Sequence, residues 1–165
     1  MTLKRDIAYL QMAYGLAEKA KGWASPNPYV GAVIVKRNVI LGYGFHKKPG
    51  TPHAEAIALQ KAGILAKNGT AYITLEPCTH WGRTPPCVDS IQKAGLKRIV
   101  ISSLDPNPLV YKKGVKKLRQ AGMDLDVGLL NEKNKCLNET YIKYVTQKIP
   151  FVLAKAAVSL DGKIA

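Results

Sequence analysis

Thr70-Ala71-Tyr72-Ile73-Thr74-Leu75-Glu76-Pro77-Cys78 is a β-rich run that ends on a proline and a cysteine, and Thr84-Pro85-Pro86-Cys87-Val88-Asp89-Ser90-Ile91-Gln92-Lys93 is a proline-closed loop that opens into a helical run. β-branched and aromatic residues predict a strand over Thr70 to Leu75. Cys78 falls where that strand hands over to a loop. Cys87 opens a helix through Lys93, with Gly95 as its stop. Strand, loop and helix in succession form one unit of an α/β fold, and the two cysteines mark its junctions.

Upstream, Pro49-Gly50-Thr51-Pro52 breaks the chain before His53, and a helix is expected from about His53 to Lys61, stopping at Gly63. Val30 to Val35 and Val39 to Phe45 read as a hairpin around Lys36-Arg37-Asn38. Ile7, Leu10, Ala13, Tyr14 and Ala17 give residues 6–20 a helical period, ended by Gly22. Downstream come a strand over Leu96 to Ser102, a helix over Lys113 to Gln120, a short strand over Leu125 to Val127 and a final helix over Asn131 to Lys148. Two stiff loops, Ser25-Pro26-Asn27-Pro28 and Asp105-Pro106-Asn107-Pro108, interrupt the pattern. This order predicts a three-layer α/β/α sandwich around a mixed five-stranded sheet, the hairpin giving the antiparallel pair and right-handed crossovers adding parallel neighbours.

A chain of 165 residues suits one domain able to bury a core. With 47% apolar and 22% charged residues the composition is that of an ordinary globular protein. No apolar run has the length of a membrane span, and the N-terminal stretch, broken by Asp6, Glu18 and Lys19, does not read as a secretory signal. The expected location is the cytoplasm. The net charge of +14 suits an anionic partner, either a phosphorylated small molecule or nucleic acid. Lys112, Lys113, Lys116 and Lys117 fall on an expected surface helix with few interleaved aromatics, so a solvated surface is the better reading than a nucleic-acid stripe. Three cysteines cannot all pair, and without an export signal metal or catalytic use is favoured over disulfides. Cys136 stands apart among Lys and Asn and reads as an incidental thiol.

His53, Cys78 and Cys87 together offer three protein ligands to a zinc ion, the number a catalytic site uses while keeping a fourth position for water. Glu55, two residues past His53, is placed for proton transfer rather than ligation. A lone H-x-E is weak, and so is a lone cysteine pair. The conjunction is strong: H-x-E opening a helix, Pro-Cys after a strand and Cys opening another helix match the zinc deaminase signature. The helix start at Cys87 is expected to favour its thiolate. The usual second interval is Cys-x-x-Cys. Here it is longer, and it places His80, Trp81 and Arg83 between two ligands. A histidine and an arginine there suit a phosphate clamp.

The run Glu76 to Cys87 resembles the E-P-C-[ST]-H-x-G-[RK]-T-P-P-C motif of the deaminase domain of the bifunctional riboflavin-biosynthesis deaminase/reductase family. Ser25 to Gly31 resembles that family's substrate loop. Gly44-Phe45-His46 through Pro52-His53-Ala54-Glu55 resembles its H-x(6)-H-A-E region, and Asp105-Pro106-Asn107-Pro108 its D-P-N-P loop. Phe151 to Ala165, with Ser159-Leu160-Asp161-Gly162-Lys163, looks like the first strand and turn of its reductase domain. The resemblance covers nearly the whole chain and implies a cytidine-deaminase-like fold, with a deaminase domain over 1–148 and a reductase-like remnant over 149–165.

The resemblance also implies a reaction: zinc-dependent hydrolytic removal of an amine from 2,5-diamino-6-ribosylamino-4(3H)-pyrimidinone 5′-phosphate. It implies Zn²⁺ on His53, Cys78 and Cys87, and proton transfer by Glu55. Asn27 would hydrogen-bond the ribose or ring, while His46, His80, Arg83, Asp105 and Asn107 would line the ribose-phosphate side. Read without it, Asn27, Asp105 and Asn107 are equally well explained as turn formers.

The stretch Tyr111-Lys112-Lys113-Gly114 departs from the family's usual sequence after D-P-N-P, and the chain as given stops at Ala165. Either a separate reductase polypeptide is the expected pathway partner, or the sequence is a truncated piece of a longer chain. Homo-oligomerisation is left open. A deaminase of a nucleic-acid base such as tRNA adenosine, or of cytidine, is the alternative, disfavoured by the long cysteine interval. A non-catalytic accessory subunit is disfavoured by the intact Glu55 and ligand set.

Overall fold

The computed structural model describes residues 3–164. Met1, Thr2 and Ala165, the outermost residues of the two expected segments, lie outside the described residues. The strands are β1 (Gly31–Lys36), β2 (Val39–Phe45), β3 (Thr70–Ile73), β4 (Arg98–Ile101) and β5 (Asp124–Val127), in the order β2-β1-β3-β4-β5. β1 pairs antiparallel with β2 and β3, while β3–β4 and β4–β5 are parallel. The helices are α1 (Leu3–Glu18), α2 (Ala54–Ala62), α3 (Cys87–Lys93), α4 (Lys113–Gln120), α5 (Asn131–Leu137) and α6 (Glu139–Gln147).

β1, β3 and β4 are buried on both faces, so alternate residues feed two cores. Ala32, Ile34, Ala71, Ile73, Ile99 and Ile101 face α2, α3 and α4 through Ala58, Val88, Ile91, Val115 and Leu118. Val33, Val35, Tyr72 and Val100 face α1 through Leu10 and Ala13. This is the expected three-layer sandwich. Ala54, Ala58 and Ala62 give α2 a flat stripe against β2, and a Cβ on Gly42 would stand 2.1 Å from the Ala58 carbonyl oxygen. That close approach seats the helix whose first turn carries Glu55.

The hairpin turn places Arg37 and Asn38 at φ 50° and 64°. Both central residues then have the positive φ of a two-residue turn whose twist matches its strands. The expected strands Thr70–Leu75 and Leu96–Ser102 shorten to four residues each, because their ends leave the ladder to build loops. One expectation is corrected: the single helix over Asn131 to Lys148 is two helices. Asn138 stands between them at φ −108°, ψ 21°, with its side chain spent on the Tyr29 backbone. Residues 149–164 also form no ladder strand. They are mostly exposed and contain one isolated bridge, Val158 to Ile164, around the Ser159–Lys163 turn. Among the described residues no helix is long and apolar enough to cross a membrane.

Strand direction decides where the site lies. β2, β3 and β4 run the same way, so His46, Cys78 and Asp105 all follow strand ends on one edge of the sheet. β1 runs the other way, so Asn27 precedes it on that same edge. Open α/β sheets bind ligands at this edge.

Candidate active site

His53 occupies the N-cap position of α2 but makes no capping hydrogen bond, because its ring turns toward the cysteines. Its Nδ1 lies 3.2 Å from Cys87 Sγ and 3.6 Å from Cys78 Sγ. The three donor atoms lie within 4.8 Å of one another. Two atoms sharing a tetrahedral zinc at ordinary Zn–N and Zn–S lengths stand ~3.6 Å apart. One nitrogen and two sulfurs at these separations therefore fit a zinc ion. The far nitrogen, Nε2, lies 3.3 Å from Thr84 Oγ1. Ligation through Nδ1 leaves the proton on Nε2, and the Thr84 hydroxyl is placed to accept it.

The cysteines differ in a way the helix-start argument did not foresee. The first amide of α3, Cys87 N–H, points at Cys78 Sγ at 3.4 Å rather than favouring its own sulfur. The Cys87 thiol and His53 also donate to Cys78, which is held down to about 4. Cys87 is pushed well up by donating to Cys78 and by burial. The amide and the imidazole both favour negative charge on Cys78 over Cys87, opposite to the expected direction. Metal binding requires both sulfurs deprotonated. The Cys78 thiolate also holds the His53 imidazole above its ordinary value, against the opposing effect of burial.

Glu55 lies in the first turn of α2 and is 4% exposed. Burial first, and the Cys78 charge second, push its carboxyl up to about 7, with His53 partly opposing. A carboxyl brought near neutrality both accepts and returns a proton at working pH.

A cleft of about 380 Å³ opens over these groups, a volume that suits a small-molecule ligand. Asn27, His46, His53, Glu55, Cys78, His80, Arg83, Asp105 and Asn107 all line it, and Cys87 lies buried outside its lining. His46 is buried, which lowers its pKa and keeps the ring neutral. Its Nδ1–H donates to the Pro52 carbonyl (3.3 Å), so its Nε2 accepts from Asn27 Nδ2 (2.9 Å). His46 thus orients Asn27. His80 and Arg83 are exposed on the long loop, and Arg83 extends over Gly50.

Asp105 is buried, and desolvation pushes its carboxyl up to about 6. It accepts from Asn107 N–H (2.9 Å), while Asn107 Oδ1 accepts from Leu109 N–H (3.0 Å). The turn-forming reading therefore holds for both, although both also line the cleft.

Sequence reasoning missed three residues here. Glu76 is buried; its Oε2 accepts from Asp105 N–H (3.3 Å) and Lys112 N–H (3.0 Å), and its Oε1 from Val115 N–H (3.1 Å). It caps α4 from another element and ties the Asp105 loop to the Cys78 loop. Gly114 permits this, since a Cβ there would stand 2.2 Å from the Pro77 carbonyl oxygen. Thr84 is the second missed residue. The third, Tyr141, donates its hydroxyl to Asp105 Oδ1 at 2.9 Å. Glu76 and Thr84 stand within the quoted motif, whereas Tyr141 carries no local signal.

Residues 3–103 match the family described as the cytidine and deoxycytidylate deaminase zinc-binding region. A riboflavin biosynthesis protein RibD of Aquifex aeolicus is 54% identical over 160 residues, 97% of this chain and 45% of that protein. The riboflavin biosynthesis protein PYRD, chloroplastic, of Arabidopsis thaliana is 46% identical over 157 residues, 95% of this chain and 37% of that protein. A solved structure of a diaminohydroxyphosphoribosylaminopyrimidine deaminase/5-amino-6-(5-phosphoribosylamino)uracil reductase from Thermotoga maritima superposes with a TM-score of 0.94 at 45% identity. It covers 98% of this chain and 47% of that one. The chain thus spans about half the length of such relatives. The Thermotoga protein carries deaminase and reductase in the name of one chain, so the expected separate reductase finds no support. The chloroplastic designation of the Arabidopsis relative leaves the expected cytoplasmic location without support from the comparisons.

Proposed function

The chain belongs to the cytidine and deoxycytidylate deaminase zinc-binding family, and from that premise we propose that it is a zinc-dependent hydrolase of the riboflavin pathway. On this reading it deaminates 2,5-diamino-6-ribosylamino-4(3H)-pyrimidinone 5′-phosphate to 5-amino-6-ribosylaminouracil 5′-phosphate. The observation that carries the reading is the convergence of His53 Nδ1, Cys78 Sγ and Cys87 Sγ beside the buried Glu55. The named activities of the relatives supply the substrate class.

Zinc, when bound to His53, Cys78 and Cys87, supplies a Lewis acid that brings the ionisation of a water toward neutral pH. Glu55 takes the proton of the attacking water, delivers it to the ring nitrogen, and carries the second proton to the departing amine. One C–N bond breaks, one C=O forms and ammonia leaves. Asn27, with its amide nitrogen spent on His46, presents Oδ1 as an acceptor to the ring or ribose. Asp105 accepts from ribose hydroxyls, and His80 and Arg83 hold the phosphate at the mouth. Residues 1–148 form the deaminase domain in this proposal, residues 149–165 the start of a reductase-like segment, and the cytoplasm the site of action.

Ammonia release by the zinc-loaded protein tests the reading, with the diaminopyrimidine ribosyl phosphate, cytidine and tRNA run in parallel. Turnover of the ribosyl phosphate alone is expected. Turnover of cytidine or tRNA instead would overturn the substrate assignment.

A further inference from the structure

Two loops that line the cleft are distant in sequence from the start of α6, yet both are held by it. Asn138 Oδ1 accepts from Tyr29 N–H at 2.7 Å, and its Nδ2 donates to the Tyr29 carbonyl at 3.1 Å. This pair grips the Asn27 loop two residues from Asn27. One helical turn later, Tyr141 donates its hydroxyl to Asp105 Oδ1 at 2.9 Å, with Oδ2 at 3.2 Å. The start of α6 therefore spans the cleft from the loop before β1 to the loop after β4. Both residues lie beyond the 3–103 region that carries the family pattern.

Tyr141 lines both the main cleft and a smaller cavity of about 200 Å³, shared with Tyr29, Asn138, Tyr144 and Phe151. Its hydroxyl bond to Asp105 ties the ring to the carboxylate that borders the cleft. Asp105 has one further donor, the Asn107 amide, and it too goes to Oδ1. The two shorter contacts are on Oδ1, and Oδ2, touched only by the Tyr141 hydroxyl at 3.2 Å, keeps the greater acceptor capacity.

We infer that Asn138 and Tyr141 are positioning residues that set the spacing of the two substrate loops, Tyr141 by orienting Asp105 toward the hydroxyls of a ribosyl phosphate. This rests on the reading of the cleft as a site for a ribosylated pyrimidine. A positioning role acts on substrate binding and leaves the metal and Glu55 untouched.

The test is Tyr141→Phe, which keeps the ring and removes one hydroxyl. It is measured as zinc-loaded protein by turnover of the diaminopyrimidine ribosyl phosphate and, separately, by amide hydrogen exchange over residues 103–110. The expected result is a KM raised about five- to tenfold, about the net worth of one ordinary hydrogen bond because the carboxylate keeps the Asn107 amide as a partner. kcat should stay within about twofold, zinc content should be unchanged, and the Asn107 amide should exchange faster. An unchanged KM would overturn the inference, as would a kcat loss at constant KM. If the wild-type protein leaves the ribosyl phosphate intact, the functional proposal fails by itself and the exchange measurement decides the inference: unchanged exchange at Asn107 overturns it, and faster exchange sustains the loop-holding role.

Discussion

Thr84 stands behind His53: its hydroxyl lies 3.3 Å from Nε2, while Nδ1 on the opposite side of the ring faces both sulfurs. The ring is thus held from both sides by groups on one loop-and-helix segment. Thr84→Val keeps the shape and removes the acceptor. Partners of this kind are worth about 10- to 100-fold in metal affinity. Competition with a chromogenic chelator should show zinc affinity down by about tenfold or more with the fold intact.

Glu55 is buried in the first turn of α2, lines the cleft and lies outside the group of three converging donors. Glu55→Gln should therefore bind one zinc per chain and unfold at the wild-type temperature, while turnover drops at least about 10²-fold. Metal analysis and ammonia release on the same preparation check both halves. Activity near the wild-type level would remove Glu55 from the mechanism.

Asp6 and Arg98 tie α1 to β4 far from the cleft. Arg98 Nη1 and Nη2 donate to the two Asp6 oxygens at 2.9 Å each, and the Tyr72 hydroxyl donates to Oδ1 at 2.8 Å. The Arg98 guanidinium holds the Asp6 carboxyl below its ordinary value of 3.8. A depressed pKa means the native state binds fewer protons, so this contribution is full above the unfolded-state pKa and is lost as pH falls through the folded one. Asp6→Asn should cost about 2–3 kcal/mol at pH 7, less than a fully buried pair because Asp126 also engages Arg98. Urea midpoints of the two proteins should converge below about pH 4. A constant gap down to pH 3 would count against the ion pair as its source.

Gly114 tests how tightly α4 is seated. Alanine in a helix gains about 1 kcal/mol over glycine. Here its Cβ would meet the Pro77 carbonyl oxygen at 2.2 Å, so backbone must move. Overpacking of this kind costs about 1–3 kcal/mol, and the Glu76 cap is loosened as well. Gly114→Ala should lower the denaturation midpoint despite its helix propensity. A midpoint equal to or above wild type would mean α4 is free to shift.

Much of the site was legible because its signals are local. His53 and Glu55 share one helix start, Cys78 and Cys87 bracket one loop, and proline pairs mark the loops of Asn27 and Asp105. The residues that escaped notice act on partners distant in the chain. Asn138 grips Tyr29 across 109 positions, Tyr141 reaches Asp105 across 36, and Glu76 caps a helix whose Val115 amide is 39 positions away. No periodicity or spacing rule reports such pairs. The same limit explains the broken last helix, since Asn138 leaves helical geometry to bond Tyr29 and nothing near it in sequence requires that.

Alternating and helical apolar periods by themselves determined the kinds and order of the elements and a sandwich with two cores, because side-chain direction along a strand or helix follows from backbone geometry. Residue chemistry at element junctions picked out His53, Cys78 and Cys87, which the fold brings together as a group able to hold a metal, and Glu55 beside them. Only the tertiary structure decided that the loops before β1 and after β2, β3 and β4 share one edge, that His53 turns Nδ1 toward both sulfurs, and that the first amide of α3 points at Cys78 rather than at its own sulfur. Those outcomes depend on which strand lies beside which, and on which backbone amide points at which sulfur. Both are set when the sheet and helices pack, not by any segment alone.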